Sequence, residues 1–334
     1  MVKIAVAGGT GSIPLSFFYI QASKLTQEST GISREIIDVL VATKKHDILI
    51  LSRKDPATVE DRPGVTWAKT DYTNKAHLTS ILQGVHTVFT FNSPVGDPSS
   101  IAQINVIDAA IAAGVKRFAP NEWSSSKFDE LPWYGEKAKV RAYLEEINKE
   151  KKVLEYTNFQ PGMIIDYLAP VGNLKYLKVM PLWIDFHKRR GITLGDKEAT
   201  YTFTTMADIA NVVTRAIEYE GEWPVVGGIR GTTMSDTRLL EIGAKVRGSK
   251  FDITSLQEAD VRAGDIRSPW LPQFTDPNIP PEQSEQFSKL VVKGSLLSGV
   301  AESWVVSDEW NRLLPDYGFK DVEEYLEEQW AGQT

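Results

Sequence analysis

The 334-residue chain has no cysteine and only four histidines. Without cysteine there can be no disulfide framework, thiolate nucleophile or cysteine-ligated metal, and the scattered histidines show no ligand spacing, so no metal is expected. Basic residues are also in deficit: 37 Lys and Arg face 44 Asp and Glu, for a net charge of −7. With no basic stripe and no polybasic tail, neither nucleic acid nor an anionic membrane is an expected partner. Long apolar runs are missing as well. The partly apolar stretch from Lys3 to Ile20 is interrupted by glycine, threonine, serine and proline, which argues against a signal peptide or a membrane span and for a cytoplasmic protein. Internal repeats and low-complexity linkers are absent. The chain is 42% hydrophobic and 24% charged, enough for one large or two modest domains without staples.

What the chain does have is an apolar strand that runs straight into glycines at its start, Val2-Lys3-Ile4-Ala5-Val6-Ala7-Gly8-Gly9-Thr10-Gly11. A Rossmann domain presents backbone to a pyrophosphate in this way, because the chain must turn sharply and a Cβ would hold the N–H groups off the phosphate. A second apolar strand, Ile48-Leu49-Ile50-Leu51, ends in Ser52-Arg53-Lys54. An acid there would accept a hydrogen bond from a free ribose 2′-hydroxyl. Arg53 instead offers a fork to a 2′-phosphate, which points to NADP(H); the plainer reading of Arg53 is a solvated cation at a strand end.

The spacing is unusual. Gly8 and Arg53 lie 45 residues apart, where the dinucleotide fingerprint expects about 20–30. Two registers account for this. In one, residues 12–30 are an insertion in the glycine loop, Gly11 is followed in effect by Gly31, and a single amphipathic helix covers 34–45. In the other, Ser12 caps a first helix with Pro14 in its opening turn, and 33–45 is a second helix. In both, the third glycine of the pattern is replaced.

Strands at 65–67, 87–91 and 117–119 then alternate with helices at 74–82 and 99–113, which predicts a doubly wound parallel sheet, extended by a strand at 154–159. The turn Asn92-Ser93-Pro94-Val95-Gly96-Asp97-Pro98 closes the fourth strand at the carboxyl edge, where it would face the ribose and nicotinamide. After residue 162 the rhythm gives way to aromatic and proline-rich stretches. This divides the chain into a nucleotide-binding domain (1–162) and a mainly substrate-binding region (163–334), with some segments returning to the first. Trp183, Phe186, Trp270 and Phe274 are the pocket candidates there, although buried aromatics are more often plain core. Thr205-Met206-Ala207-Asp208 reads as a capping box opening a helix over 206–219, which makes Asp208 structural, and 321–329 reads as an acidic amphipathic helix.

Chemistry concentrates at Pro132-Trp133-Tyr134-Gly135-Glu136-Lys137-Ala138-Lys139-Val140-Arg141, a turn feeding a charged helix. A lysine on the first turn of a helix beside the sheet edge can hold ribose hydroxyls and act as general acid or electrostatic stabiliser. Tyr134 lies three residues before Lys137 and tryptophan occupies the position four before it, so the tyrosine–lysine pair of common short-chain dehydrogenases is not reproduced.

Several segments together resemble the NmrA-like and isoflavone-reductase-like atypical short-chain dehydrogenases over nearly the whole chain. They are Gly8-Gly9-Thr10-Gly11, Leu51-Ser52-Arg53, Ala113-Gly114-Val115-Lys116-Arg117-Phe118-Ala119-Pro120-Asn121-Glu122-Trp123, Lys137-Ala138-Lys139-Val140-Arg141 and Phe159-Gln160-Pro161-Gly162. The resemblance implies an NADP(H)-binding Rossmann domain, a smaller substrate-binding region, and a lysine at the nicotinamide ribose that assists reduction, which maps to Lys137. Cofactor contacts are expected from Gly8, Thr10, Gly11, Ser12, Ile13, Arg53, Lys54, Asn92, Ser93, Lys137, Phe159 and Gln160. Asn121 stands where the family often has serine, so the pocket floor at Asn121-Glu122-Trp123 is expected to be specialised. Catalytic candidates besides Lys137 are Glu122, Asn121 and Tyr134; for Glu122 a cap or salt-bridge carboxylate is an equal reading.

Three functions are compatible with this reading. The first is an NADPH-dependent reductase of a bulky hydrophobic small molecule of secondary or aromatic metabolism. The second is a ring-forming enzyme using the same cofactor and pocket, and the third a regulator that senses NADP(H) without turnover. Retention of Lys137 favours an enzyme, working as a monomer or homodimer.

Overall fold

The computed structural model describes residues 1–8, 23–59, 61–92, 97, 99–273 and 281–333, with backbone alone for 23–30 and 281. Its centre is a parallel sheet. The strands are β1 (Lys3–Ala7), β2 (Asp47–Ser52), β3 (Val65–Lys69), β4 (Thr87–Thr90), β5 (Arg117–Ala119) and β6 (Glu155–Tyr156), in the order β3-β2-β1-β4-β5-β6. Strands covered on both faces must be apolar throughout, and β1 and β4 are buried along almost their whole length. The crossover helices are α1 (Ser23–Thr43), α2 (Lys75–Ile81), α3 (Ile101–Ala112) and α4 (Gly135–Asn148). The order in which strands are added reverses between β1 and β4, and ligands bind outside the carboxyl ends of strands at such a switch point.

The helix expected over 34–45, or 33–45, begins earlier in the structure, and the first helix expected from Ser12 lies outside the described residues. One helix runs unbroken from Ser23 to Thr43, so Gly31 is a mid-helix residue and not a loop glycine. It is small for a packing reason, since a Cβ there would stand 2.9 Å from Leu177 Cδ2 and 3.2 Å from the Tyr176 carbonyl oxygen. Residues 12–22 lie outside the described residues. The strand expected over 154–159 is also two strands: β6 completes the main sheet, while β7 (Asn158–Gln160) leaves it to pair with β12 (Val226–Gly228).

The remainder consists of small sheets and helices: β8 (Met163–Ile164), β9 (Ile184–Asp185), β10 (Arg190–Leu194), β11 (Thr200–Thr204), α5 (Met206–Glu218), β13 (Thr232–Ser235), α6 (Asp236–Val246), β14 (Asp252–Leu256), α7 (Glu258–Ala263), α8 (Pro281–Val300), α9 (Glu309–Leu313) and α10 (Val322–Trp330). The expected capping box is present: the Thr205 hydroxyl accepts from the Asp208 N–H at 3.0 Å and donates to the Asp208 carboxylate at 2.7 Å. Asp321 likewise caps α10.

Late segments return to the first half. Ile209, Val212, Val213, Trp223 and Trp310 share one core with β1, β4 and α1. Arg117, at the start of β5, pairs with Glu155 at 2.8 Å and donates to the carbonyls of Tyr219 and Gly221, both at 2.7 Å. Among the described residues no helix is long and apolar enough to cross a membrane, and no group of acidic or histidine side chains could hold a metal ion.

Candidate active site

Gly8 ends β1 with φ at +90°, and a Cβ there would sit 2.7 Å from the Asn92 backbone nitrogen. Only glycine lets the exits of β1 and β4 lie this close. Asn92 is buried beside it with its side-chain oxygen unpaired. Arg53 and Lys54 follow β2 directly and are exposed. Beneath them the buried Tyr72 hydroxyl donates to the Leu51 carbonyl at 2.6 Å. Thr10, Gly11, Ser12, Ile13 and Ser93 lie outside the described residues.

The loop after β5 is fixed from below. The Gln103 side-chain oxygen, from α3, accepts from the Asn121 N–H at 2.6 Å and from the Thr90 hydroxyl at 2.7 Å. The Asn121 amide donates onward to the Asn92 carbonyl at 2.5 Å, tying the ends of β4 and β5 together. Trp123 takes a left-handed backbone, with φ at +43°. Its ring lies between Phe91 (4.6 Å) and Phe159 (5.2 Å), and its indole N–H reaches the Thr90 carbonyl at 3.0 Å. Strain in a bulky residue persists only where the surroundings over-determine it, as this stack does.

Helix α4 follows a tight turn at Pro132–Tyr134, and its buried stripe is Lys137, Val140 and Leu144. A lysine on such a stripe needs partners. The Lys137 ammonium donates to the carbonyl of Asn121 at 2.9 Å and to that of Glu122, and it stands 4.8 Å from the centre of the Tyr134 ring. The loop therefore positions the cation, and Asn121 takes part through its backbone. Glu122 is 1% exposed and paired at 2.6 Å with Arg141, one turn beyond Lys137. Arg141 also donates to the carbonyls of Ser125 and Ser126 and lies 3.9 Å from the Phe128 ring centre. Of the two roles open to Glu122 from sequence, the geometry displays the salt bridge.

Beside this cluster lies an open cavity. Trp123, Ser124, Tyr134 and Trp304 form one side, and Phe287, Val291 and Ser295, spaced four apart on α8, form the other. Gly162, Met163 and Tyr167 contribute part of the wall. The lining is aromatic and aliphatic, and Tyr134 carries it to within reach of Lys137.

Other expected ligand contacts are buried. Phe159 lies fully buried between Trp123 and Trp310, with its ring against Trp123. Gln160 is buried too, its carbonyl bonded to the Ile229 N–H at 3.0 Å and its side-chain oxygen unpaired. Phe186 packs edge-on against Phe251 at 5.3 Å, and Trp270 lies under Arg190 at 4.2 Å; neither lines either of the two cavities described here, because both close the core of the C-terminal half. Trp183 lines a second cavity that adjoins the first. Phe274 is outside the described residues. Gln103, Ser124 and the α8 face were not anticipated from the sequence, and a glutamine in the apolar run Ile101-Ala102-Gln103-Ile104 was the available signal.

A family model described as the NmrA-like family matches residues 2–326. The oxidoreductase BOA1 of Botryotinia fuckeliana (strain B05.10) is 27% identical over 258 residues, which is 75% of this chain and 78% of that protein. The NADPH complex of the NADPH-dependent quinone oxidoreductase QOR2 from Escherichia coli superposes with a TM-score of 0.62 at 20% identity, covering 97% of this chain and 99% of the other. A structure from the pinoresinol-lariciresinol and phenylcoumaran benzylic ether reductases gives 0.66 at 15% identity, covering 98% and 99%.

Proposed function

The chain belongs to the NmrA-like family, and from that premise we propose that it is an NADPH-dependent reductase of a bulky, apolar small molecule. The observation that carries the reading is an aromatic cavity lined in part by Tyr134, whose ring centre stands 4.8 Å from the buried Lys137 ammonium. The named activities of the similar proteins, an oxidoreductase and several reductases, support it.

The residues present fit the cofactor. A pyrophosphate needs a turn stripped of side chains, and Gly8 occupies a place a Cβ would fill. The unpaired Asn92 oxygen can accept from a ribose hydroxyl, and the exposed Arg53 suits a 2′-phosphate. Bound NADPH supplies the hydride. Lys137, anchored by two carbonyls, holds a positive charge where the reduced group gathers negative charge, and can give it a proton. The aromatic walls exclude water and strengthen that interaction.

Calorimetric titration with NADPH and NADH, followed by loss of NADPH absorbance with bulky unsaturated ketones and enones, tests the proposal. Arg53→Asp is expected to weaken NADPH by on the order of tenfold or more and NADH little, since one charge-assisted bond is worth roughly 1.5–3 kcal/mol. Equal losses remove the 2′-phosphate assignment, and no binding of either nucleotide removes the reductase.

A further inference from the structure

Among the described residues two aromatic side chains stand on a left-handed backbone, Trp123 and Tyr72. Trp123 borders the cavity. Tyr72, with φ at +67°, follows β3 and sends its ring into the core under the exits of β1 and β2. A bulky residue keeps such a backbone only where its surroundings hold it there, and strain of this kind gathers at functional sites.

The restraints on Tyr72 come from two sides. Its N–H donates to the Thr70 hydroxyl at 3.2 Å, and the Thr70 N–H donates to the Ser52 carbonyl at 2.8 Å, which ties the turn to β2. From α3 the buried Asn105 amide donates to the Tyr72 carbonyl at 2.9 Å. The backbone is thus fixed before the side chain is placed.

What the side chain does is seen at the last rung between β1 and β2. Ala7 lies opposite Leu51, so the Gly8 N–H should close the ladder on the Leu51 carbonyl. That bond is stretched to 3.5 Å, past the usual limit of about 3.2 Å. On the other side of β1 the matching rung, from the Phe91 N–H to the Ala7 carbonyl, is 2.7 Å. The Tyr72 hydroxyl takes up the difference: it donates to the Leu51 carbonyl at 2.6 Å and lies beside the Gly8 N–H. Burial pushes the ionisation of this hydroxyl far up, so it stays protonated and goes on donating. Arg53, two residues beyond Leu51, is near enough for its charge to reach the hydroxyl.

We infer that Tyr72 is a positioning residue for the dinucleotide: its hydroxyl bridges the exits of β1 and β2 and sets the span between Gly8 and Arg53, so that one ligand engages both. The inference rests on the reading of Arg53 as the partner of a 2′-phosphate. Tyr72 is 3% exposed and bonded to backbone, so it acts through the strand ends and not on the ligand itself. Its effect falls on the choice between NADPH and NADH.

The test is calorimetric titration of NADPH and NADH into the native protein, Tyr72→Phe, Arg53→Gln and the double variant. The readout is the preference, the NADH dissociation constant divided by that of NADPH. Phenylalanine keeps the ring in the core and removes the bridge, so Tyr72→Phe is expected to lower the preference about fivefold, the worth of one ordinary hydrogen bond. In the Arg53→Gln background the same change is expected to leave the preference where Arg53→Gln alone puts it, because no guanidinium is left to place. A general loosening of the fold would weaken both nucleotides by one factor and leave the ratio untouched. Should Tyr72→Phe fail to fold, Asn105→Ala, which releases the Tyr72 carbonyl and keeps the hydroxyl, is read in its place with a fall in the same direction. An unchanged preference, or a fall that persists in the absence of Arg53, overturns the inference and leaves the reductase standing. A native protein that binds neither nucleotide overturns the reductase and the inference together, and one that binds both alike removes the 2′-phosphate assignment and the inference with it.

Discussion

Lys137 was legible from sequence as a first-turn lysine beside the sheet edge, but its anchoring was not, because its acceptors are backbone carbonyls of a loop 15 and 16 residues upstream. Lys137→Ala is expected to lower the rate of NADPH oxidation by on the order of 100-fold or more while calorimetry shows nucleotide binding nearly intact. Unchanged turnover would take Lys137 out of the chemistry. Arg141 has a different task, since it neutralises a carboxylate with no access to water. Arg141→Met leaves that charge buried and is expected to cost about 3 kcal/mol in urea melts, most of it recovered when Glu122→Gln is added. Asp236, buried at the start of α6, has one carboxyl oxygen unpaired, and burial pushes its carboxyl up to about 6. In the unfolded chain it titrates near pH 4. The folded state thus holds this proton more tightly, and the group's contribution to stability falls as pH rises from about 4 to about 6. Relative to Asp236→Asn, the native chain is expected to lose stability across that window and to run parallel to it above; parallel curves throughout would show that the carboxyl titrates normally.

At the scale of elements, the sheet was readable because parallel strands covered on both faces are written as continuous apolar runs, and Ile4-Ala5-Val6-Ala7 and Ile48-Leu49-Ile50-Leu51 are such runs. The helix before β2 was given too late a start because Gly31 looked like a loop residue. Its smallness serves a contact with 176–177, and no local pattern announces a partner that distant. Helix α8 was overlooked as a cavity wall for a related reason: Phe287, Val291 and Ser295 are separated by serine, lysine and glycine, so its inner face has little contrast. One of those glycines matters to the wall. A Cβ on Gly294 would stand 2.3 Å from Trp133 Cη2 and 2.9 Å from the Glu130 carbonyl oxygen. Gly294→Ala is expected to lower stability by roughly 1–3 kcal/mol and to weaken aryl-ketone binding, as Trp133, itself part of the cavity lining, shifts. A thermal melt and a ketone titration on the same sample check both, and an unchanged melting temperature would mean that the helix yields freely.

For the molecule as a whole, the main sheet ends with β6 at Tyr156, a few residues before the change of rhythm near 162, and composition could not say how closely the segments on either side would be sewn together. Pairing of β7 with β12 joins residues 158–160 to 226–228, and the Ser126 hydroxyl donates to the carbonyls of Ser303 and Val305 at 3.0 and 2.7 Å. Such links have no sequence signature, because each partner alone is an ordinary strand end or loop serine. Their consequence falls during synthesis. Phe159 is made early, yet its stacking partner Trp310, 5.5 Å away, belongs to the last tenth of the chain. While a ribosome builds the protein, the apolar flank around Phe159 stays open until Trp310 emerges, an interval of nearly half the chain, and a message truncated before codon 310 is expected to yield a fragment with that flank exposed.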